Sequence, residues 1–250
     1  MKALLLDIET APNLVYVWRL FDERVPVDNL IKPGYTLCWS AKWLGSKTVL
    51  FDSIHHSKPE TMIRRIHALL DEADAVIHYN GSRFDIPVLQ QEILQLGLAP
   101  PSPVKQIDLL DTARKQFRFP SNKLDYVSRA LGLGKKVAHK GMELWKGCMD
   151  GDDASWRTME RYNKQDVRLL EPLYQKLKPW IKGHPNAALF KDSNRPMCPT
   201  CGSHNLQARG IAKTTTLTYQ RFQCKECGKW SRGRQNIMAK ERKASVLVPA

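Results

Sequence analysis

Long apolar runs are absent from this 250-residue sequence. No window approaches 18 uncharged apolar residues, so no membrane-spanning helix is expected. The opening MKALLLDIET has four apolar residues before its first acidic residue, too few for the apolar region of a signal peptide. Internal repeats and low-complexity runs are also lacking. These absences favour a cytoplasmic globular protein of one medium domain with a small appendage.

Cysteine is scarce, and its placement argues against a secreted disulfide framework. Four of the six cysteines form two CxxC pairs near the C-terminus, whereas Cys38 and Cys148 stand far from them. In a cytosolic protein this pattern favours metal binding over disulfide formation.

Acidic residues are few in the C-terminal quarter. Residues 1–182 hold 27 Lys and Arg against 22 Asp and Glu, a net of 27 − 22 = +5, whereas residues 183–250 hold 12 against 3, a net of 12 − 3 = +9. A small basic region is typical of polyanion binding. Charge alone does not separate nucleic acid from an anionic membrane surface.

The distribution of apolar residues predicts an α/β fold. KALLLDI and ADAVIHY are typical of buried strands, residues 35–43 and 48–53 of an antiparallel hairpin, and VKQIDLL of a further strand. Helical spacing recurs at residues 59–72, after Asp85, at 122–132 and at 155–178. A hairpin followed by alternating strands and helices predicts a mixed central sheet flanked by helices.

A change in composition divides the chain. Prolines and glycines cluster around 179–197, and the region beyond has few large aliphatic residues. We therefore expect a main domain at 1–182, a linker at 183–196, a small metal-stabilised domain at 197–235 and a basic tail at 236–250.

Asp7 and Glu9 end the first predicted strand. Residues two apart share one face of a strand, so both carboxylates project toward the same point. Two charges at the rim of a buried strand need a partner, and a cation is the obvious one. The alternative is an ordinary surface DxE at a strand end.

Two further segments carry acidic residues in positions that point to chemistry. Asp85 follows a strand and the Asn80-Gly81 turn, and we expect it at the edge of the sheet with Phe84 anchored in the core; the alternative is a helix N-cap. Tyr162 and Asp166 are four residues apart and share a helix face. The alternative is an exposed Asp beside a half-buried Tyr.

The three segments DIE, NGxxFDxP and YNxxD, in this order, resemble the exonuclease motifs of the DEDD 3′–5′ exonucleases. The second is most similar to the proofreading domain of family-B DNA polymerases. Tyr162 stands where the tyrosine (DEDDy) subgroup has its tyrosine, and Arg161 where the other subgroup has histidine. The resemblance covers roughly residues 1–180, and with its C-terminal domain the chain resembles nucleases encoded by tailed bacteriophages.

This resemblance implies an RNase H-like fold and a two-metal mechanism with Mg²⁺ or Mn²⁺. By resemblance, Asp7 would bridge both metals, and Glu9 and Asp166 would complete the site of the attacking water. Asp85 would hold the second metal, directly or through water, and Tyr162 would orient the water. Asn80 and Phe84 would contact the nucleic acid.

Other candidates are weaker. Asp108 is interpreted as a helix cap and Asp111 as pointing away, and His55, His56 and His78 as structural. A basic stretch interleaved with aromatics either follows a phosphate backbone or is a solvated helix face. It contains Lys115, Arg118, Lys123, Lys135, Lys136 and Lys140, with Phe117, Phe119 and Tyr126.

The cysteine pairs CPTCG and CKECG predict a zinc ribbon. Cys198, Cys201, Cys224 and Cys227 supply four thiolates, with 22 residues between the pairs and a glycine after each. Four thiolates form a closed tetrahedral site for one structural Zn²⁺; redox chemistry is the alternative. The ribbon resembles those of transposase-type DNA-binding proteins, and its basic and aromatic residues predict nucleic-acid contacts. They are Arg209, Lys213, Arg221, Lys225, Lys229, Trp230, Arg232 and Arg234.

The sequence therefore predicts a 3′–5′ exonuclease that acts on nucleic acid, with DNA favoured over RNA, in association with replication or recombination proteins. Two alternatives remain: an endonuclease or ribonuclease on the same fold, and a binding module without activity.

Overall fold

The computed structural model describes residues 1–21 and 24–247. The chain forms two compact units, Lys2–Gln175 and Met1 with Lys176–Ala250. No helix within the described residues is both long and apolar enough to cross a membrane.

The first unit is built on a five-stranded mixed sheet. Its strands are β1 (Ala3–Thr10), β4 (Thr36–Trp43), β5 (Leu50–Ser53), β6 (Ala75–His78) and β7 (Lys105–Asp108), in the order β5-β4-β1-β6-β7. Strand β4 is antiparallel to both of its neighbours, β1 and β5, whereas β6 and β7 run parallel to β1. This confirms the predicted hairpin and the mixed sheet. A separate two-stranded sheet joins β2 (Leu14–Val15) to β3 (Leu30–Lys32).

The helices are α1 (Pro59–Glu72), α2 (Asp85–Gln95), α3 (Leu109–Gln116), α4 (Leu124–Ala130), α5 (Met142–Met149), α6 (Asp153–Leu177) and α7 (Lys240–Ala244). The predicted helices are confirmed as α1, α2, α4 and α6. Helix α3 was predicted only through its Asp108 cap, and α5 was not predicted, because eight residues give barely two turns of apolar periodicity.

The alternation of β1 places its two sets of side chains in different surroundings. Leu4, Leu6 and Ile8 belong to a core cluster that includes residues of α1 and α2. A second cluster joins β4 to α5 and α6 through Leu37, Cys38 and other buried residues. Asp7 and Glu9 alternate with Leu6 and Ile8 and therefore face away from the first cluster.

The second unit contains an antiparallel sheet in the order β10-β9-β8, formed by β8 (Leu206–Lys213), β9 (Thr218–Cys224) and β10 (Trp230–Asn236). Residues 183–196, expected to be a linker, include the 3-10 helix Ala187–Phe190. Its Ala187 N–H donates to the Pro199 carbonyl at 2.7 Å, and Lys191 Nζ donates to the Gly202 carbonyl at 3.1 Å. This segment is therefore attached to the first cysteine turn.

Candidate active site and cysteine cluster

Three carboxylates converge where β1 meets α6. Asp7, Glu9 and Asp166 each offer one oxygen, and these oxygens all lie within 4.8 Å of one another. The pleat of β1 brings Asp7 and Glu9 to one face, and α6 contributes Asp166 from 157 residues beyond Glu9 in the chain. The predicted grouping of these three residues is found in the structure.

Asn163, one residue after Tyr162, fixes the position of Asp7. Its Nδ2 donates to Asp7 Oδ2 at 2.6 Å and to the Asp7 carbonyl at 3.3 Å, and its side chain is fully buried. Sequence reasoning assigned it no role. The only available signal was its position inside YNxxD, since a contact across 156 residues has no local signature.

Lys136 also belongs to this site, although sequence reasoning placed it elsewhere. Its Nζ donates to Tyr162 Oη at 3.0 Å and forms an ion pair with Asp166 Oδ2 at 2.5 Å. We predicted Lys136 as part of a basic stretch along a phosphate backbone or a solvated face. The structure places its ammonium group among the carboxylates instead.

Burial and mutual repulsion raise the pKa values of the three carboxyl groups. Burial, followed by the charge of Asp166, raises the pKa of Glu9 to about 8. Burial, together with the charges of Asp166 and Glu9, raises the pKa of Asp7 well above its usual range. Burial also raises the pKa of Asp166, against the opposing ammonium of Lys136. When all three carboxylates are ionised, one lysine leaves an excess of negative charge.

This excess fits a divalent cation. Asp166 Oδ1 is buried and has no hydrogen-bond partner among the described residues, so a donor oxygen is available for a ligand. Carboxylate oxygens are hard ligands, which suit Mg²⁺ or Mn²⁺.

Asp85 lies beside this cluster, where α2 begins. It accepts a hydrogen bond from the Ile8 N–H at 3.0 Å, and burial raises its pKa to about 7. Its charge in turn raises the pKa of Asp7. Asp85 is not one of the three residues whose oxygens lie within 4.8 Å; it joins α2 to the strand that carries Asp7 and Glu9.

The turn before Asp85 is shaped by Asp108. This carboxylate accepts from the N–H groups of Asn80 at 3.0 Å and Ser82 at 3.4 Å, and it also caps α3. Its predicted role as a cap is confirmed. Asn80 has a left-handed backbone with φ of 74°, a conformation that Asn tolerates better than most residues.

The prediction that Phe84 is anchored in the core is wrong. Its side chain is 41% exposed, because α2 begins at the next residue and turns Asp85 and Ile86 inward instead. An exposed ring beside the carboxylates is free to contact a ligand.

A cavity of about 530 Å³ opens beside Asp7. Leu110 and Leu124 give it apolar walls, and Arg114, Lys123 and Lys136 supply positive charge. Tyr79, Asn80, Asn122 and Asp125 complete the lining. Two members of the predicted basic stretch, Lys123 and Lys136, therefore line a space next to the carboxylates, whereas Lys115 pairs with Asp111 on α3.

The remaining candidates take structural positions. His55 stacks on Trp156 and lies 3.1 Å from Asp153, and His56 packs edge-on against Phe51. His78 is buried, and its Nδ1 accepts from the Gly81 N–H at 3.1 Å.

Comparison with known proteins places this chain in a family. A family model described as the RNase_H superfamily matches residues 38–178, more than half of the chain. The chain belongs to the RNase H superfamily. Members of this superfamily are typically nucleases, and the mixed sheet flanked by helices is consistent with the RNase H-like fold. Asp7 and Glu9 precede the matched residues, whereas Asp85, Tyr162 and Asp166 lie within them.

The fold is similar to that of part of a family B DNA polymerase from the hyperthermophilic archaeon Pyrobaculum calidifontis. The TM-score is 0.53, with 20% identity over 71% of this chain and 24% of the polymerase. A protein of Methanobrevibacter smithii, described as an uncharacterized 48.3 kDa protein of insertion element ISM1, is 39% identical over 59 residues. That match covers 18% of this chain and 15% of the relative, so the chain corresponds to only a small part of either protein.

Beyond the residues that match the RNase H superfamily, four cysteines form a second cluster. Their Sγ atoms all lie within 4.8 Å of one another, with 3.6 Å between Cys198 and Cys227 and 3.5 Å between Cys201 and Cys224. A zinc tetrahedron with bonds of about 2.3 Å has edges of about 3.8 Å, so the spacing fits one ion. Gly202 and Gly228 have positive φ angles of 68° and 76°, as predicted for the two turns.

Lys229, predicted to contact nucleic acid, makes a hydrogen bond within the second unit. Its Nζ donates to the Ile181 carbonyl at 2.8 Å, and burial lowers its pKa. The side chain is committed to a contact within its own unit.

Proposed function

We propose that this protein is a metal-dependent nuclease of the DEDDy type that removes nucleotides from the 3′ end of nucleic acid. The observation that carries the proposal is the convergence of Asp7, Glu9 and Asp166 within 4.8 Å, beside Tyr162. The fold likeness to a DNA polymerase and the short match to an insertion-element protein favour DNA as the substrate. A phage origin and a role with replication or recombination proteins belong to the same proposal.

Asp7, Glu9 and Asp166 would hold the catalytic cations, with Asp85 as the additional ligand. Two Mg²⁺ or Mn²⁺ ions supply, when bound, a water of lowered pKa and stabilisation of negative charge on the phosphoryl and leaving oxygens. Asn163 keeps Asp7 in one orientation through its hydrogen bond to Oδ2. A fixed ligand set lowers the reorganisation that each turnover requires.

Tyr162 acts as a hydrogen-bonding group and not as a base. Burial and the charge of Glu9 raise its pKa above the ordinary value of 10, so the phenol keeps its proton at neutral pH. Its oxygen accepts from Lys136, and its hydrogen bond to Asp166 lowers the pKa of that carboxyl, so the phenol would orient Asp166 toward the metal-bound water. Lys136 adds positive charge where the substrate phosphate becomes more negative.

The cavity beside Asp7 is the proposed position of the terminal nucleotide. Its leucines would pack against the nucleoside, and Arg114 and Lys123 would contact phosphates of the strand. Asn80 in the wall and the exposed Phe84 would also contact the strand.

The four cysteines would hold one structural Zn²⁺ and complete a zinc ribbon. A closed set of four thiolates leaves no open position for catalysis. The metal would stabilise a unit that is poor in large aliphatic residues.

The decisive experiment compares products from 3′- and 5′-labelled single- and double-stranded DNA and RNA with Mg²⁺ or Mn²⁺. We expect stepwise shortening from the 3′ end for the wild type. Asp7→Ala and Asp166→Ala should each lose all but a few per cent of the rate and still bind the strand, because each removes a cation ligand. Internal cleavage would indicate an endonuclease. Wild-type rates in either variant would contradict the metal assignment.

A further inference from the structure

One face of the ribbon sheet carries three arginines around a tryptophan. Arg232 on β10 lies directly opposite Arg221 on β9, and Trp230 opposite Gln223. Residues two apart on a strand share a face, so these four side chains project together. Arg209 on β8 joins them, because its Nη1 donates to Gln223 Oε1 at 2.6 Å. We call Arg209, Arg221, Arg232 and Trp230 the arginine face.

The guanidinium groups of this face are held in place. Those of Arg209 and Arg221 lie 5.4 and 4.9 Å from the centre of the Trp230 ring, and that of Arg232 lies 4.0 Å from the ring of Tyr219. Arg221 Nε also donates to the Arg209 carbonyl at 2.9 Å. Such contacts reduce the conformational entropy that an arginine loses when it binds an anion.

Within the described residues, no carboxylate neutralises the positive charge of the face. Across the parts of the chain that are described, no ion pair joins Arg209, Arg221 or Arg232 to a carboxylate. Like charges directly opposite each other on neighbouring strands destabilise a sheet. The Arg221–Arg232 pair therefore weakens the ribbon unless an anion lies between the two groups.

The opposite face of the sheet already has a covering. Phe222 and Gly233, which alternate with Arg221 and Arg232, line a cavity of about 710 Å³ together with residues of the preceding segment such as Pro196 and Pro199, and Arg232 also contributes to its lining. The arginine face is the exposed one: Arg209, Arg221 and Arg232 are all exposed, and Trp230 is 44% exposed.

We propose that the arginine face binds the phosphodiester backbone of nucleic acid. Planar guanidinium groups match phosphate oxygens with paired hydrogen bonds. Because two guanidinium groups lie against Trp230, the ring positions arginines and does not insert between bases. The contact is therefore independent of sequence. It deepens the proposed nuclease function, since the bound polymer would be the substrate strand.

The test measures binding of the full-length, zinc-loaded protein to a fluorescein-labelled 30-nucleotide single strand and a 30-base-pair duplex, without added Mg²⁺ or Mn²⁺ and without a chelator, so that cleavage is suppressed and the ribbon keeps its zinc. Kd is determined between 50 and 300 mM KCl for wild type, Arg221→Ala/Arg232→Ala and the control Lys47→Ala/Lys105→Ala. The control removes two exposed charges from the first unit, at positions with no predicted contact to nucleic acid.

We expect the arginine variant to weaken binding about tenfold and to reduce the slope of log Kd against log salt by about 2, roughly one for each phosphate contact. The control should change Kd less than twofold. Trp230→Phe should retain most of the affinity and Trp230→Ala should not, since a positioning ring is needed. Equal slopes for the two double variants would overturn the proposal. So would normal binding by Trp230→Ala.

Two further measurements distinguish this proposal from a loss of folding and from a failure of the nuclease function. Zinc content measured on each variant shows whether the ribbon remains folded; a variant with less zinc than wild type is replaced by Arg221→Gln/Arg232→Gln. Hydrolysis of a four-nucleotide strand reports the carboxylate site alone. Altered salt slopes with no hydrolysis by any form would retain the arginine face and reject the nuclease function.

Discussion

The ammonium group of Lys136 contacts two residues at once, Tyr162 and Asp166. Removing it leaves Asp166 with more unneutralised charge and Tyr162 without its donor. We expect Lys136→Ala to lower the single-turnover rate about 100-fold at saturating Mg²⁺, the size of effect found when one preorganised donor is removed. Tyr162→Phe should be milder, because it keeps the ring and the lysine.

Lys135→Ala is the matched control, since Lys135 is exposed and carries the same charge. A rate for Lys136→Ala equal to that of Lys135→Ala would assign Lys136 to strand binding only. Full activity of Tyr162→Phe would remove the phenol from the reaction.

Gly81 has no room for a side chain. A Cβ at this position would lie 2.4 Å from His78 Cγ, and His78 is fully buried. Gly81→Ala should therefore push away the turn that carries Asn80 and leads to Asp85. We expect a loss of about 2 kcal/mol in the free energy of unfolding, typical of an overpacked site. Thermal unfolding measures it, with the exposed Ser82→Ala as control; equal Tm values would contradict the clash.

Strand β1 and helices α2 and α6 bring together buried carboxyl groups, and burial favours their protonated form. The pKa of Glu9 rises from 4.5 to about 8, and that of Asp85 from 3.8 to about 7. Between about pH 4 and pH 8 the folded protein thus binds more protons than the unfolded chain. The stability of the metal-free protein therefore falls as pH rises through this window.

A divalent cation replaces those protons, so its stabilising effect should grow with pH. Without added divalent metal and without a chelator, we expect the Tm of the zinc-loaded protein to fall from pH 5.5 to pH 8.5, and the increase on adding Mn²⁺ to be larger at pH 8.5. Glu9→Gln should flatten the first trend, because it removes one of the ionising groups. A metal-induced increase that is the same at both pH values would argue against binding at these carboxylates.

Across the whole molecule, the two proposed metal sites use different side chains: thiolates at one and carboxylates at the other. Thiolates prefer zinc, and carboxylates prefer Mg²⁺ or Mn²⁺. Purified protein should therefore contain about one Zn²⁺ per chain, and a chain ending at Lys182 should still hydrolyse short strands. Because residues 183–250 carry a net charge of 12 − 3 = +9, the shortened chain should bind long strands more weakly.

A salt titration of both forms tests this, since fewer phosphate contacts give a shallower dependence. Identical slopes would assign the C-terminal unit a role in protein docking. An insoluble shortened chain would mean that the C-terminal unit is needed for folding.

Structural features that depend only on neighbouring residues could be predicted from the sequence. The leucines of β1 and the spacing of Asp7 and Glu9 predicted a buried strand with two carboxylates on one face, because side chains alternate along a strand. The helical spacing of α1 and the glycines after the cysteine pairs were equally informative, since periodicity and positive φ are local properties.

Contacts between residues that are distant in the sequence became visible only in the folded structure. Lys136 reaches Tyr162 across 26 residues, and Asn163 reaches Asp7 across 156; no local pattern encodes either contact. The start of α2 decided that Phe84 is exposed. The pairing of β9 with β10 brought Arg221 opposite Arg232, whereas Lys229, equally basic in the sequence, donates to a main-chain carbonyl. Composition gives the number of charges, but the packing of strands and helices decides which of them remain available to a ligand.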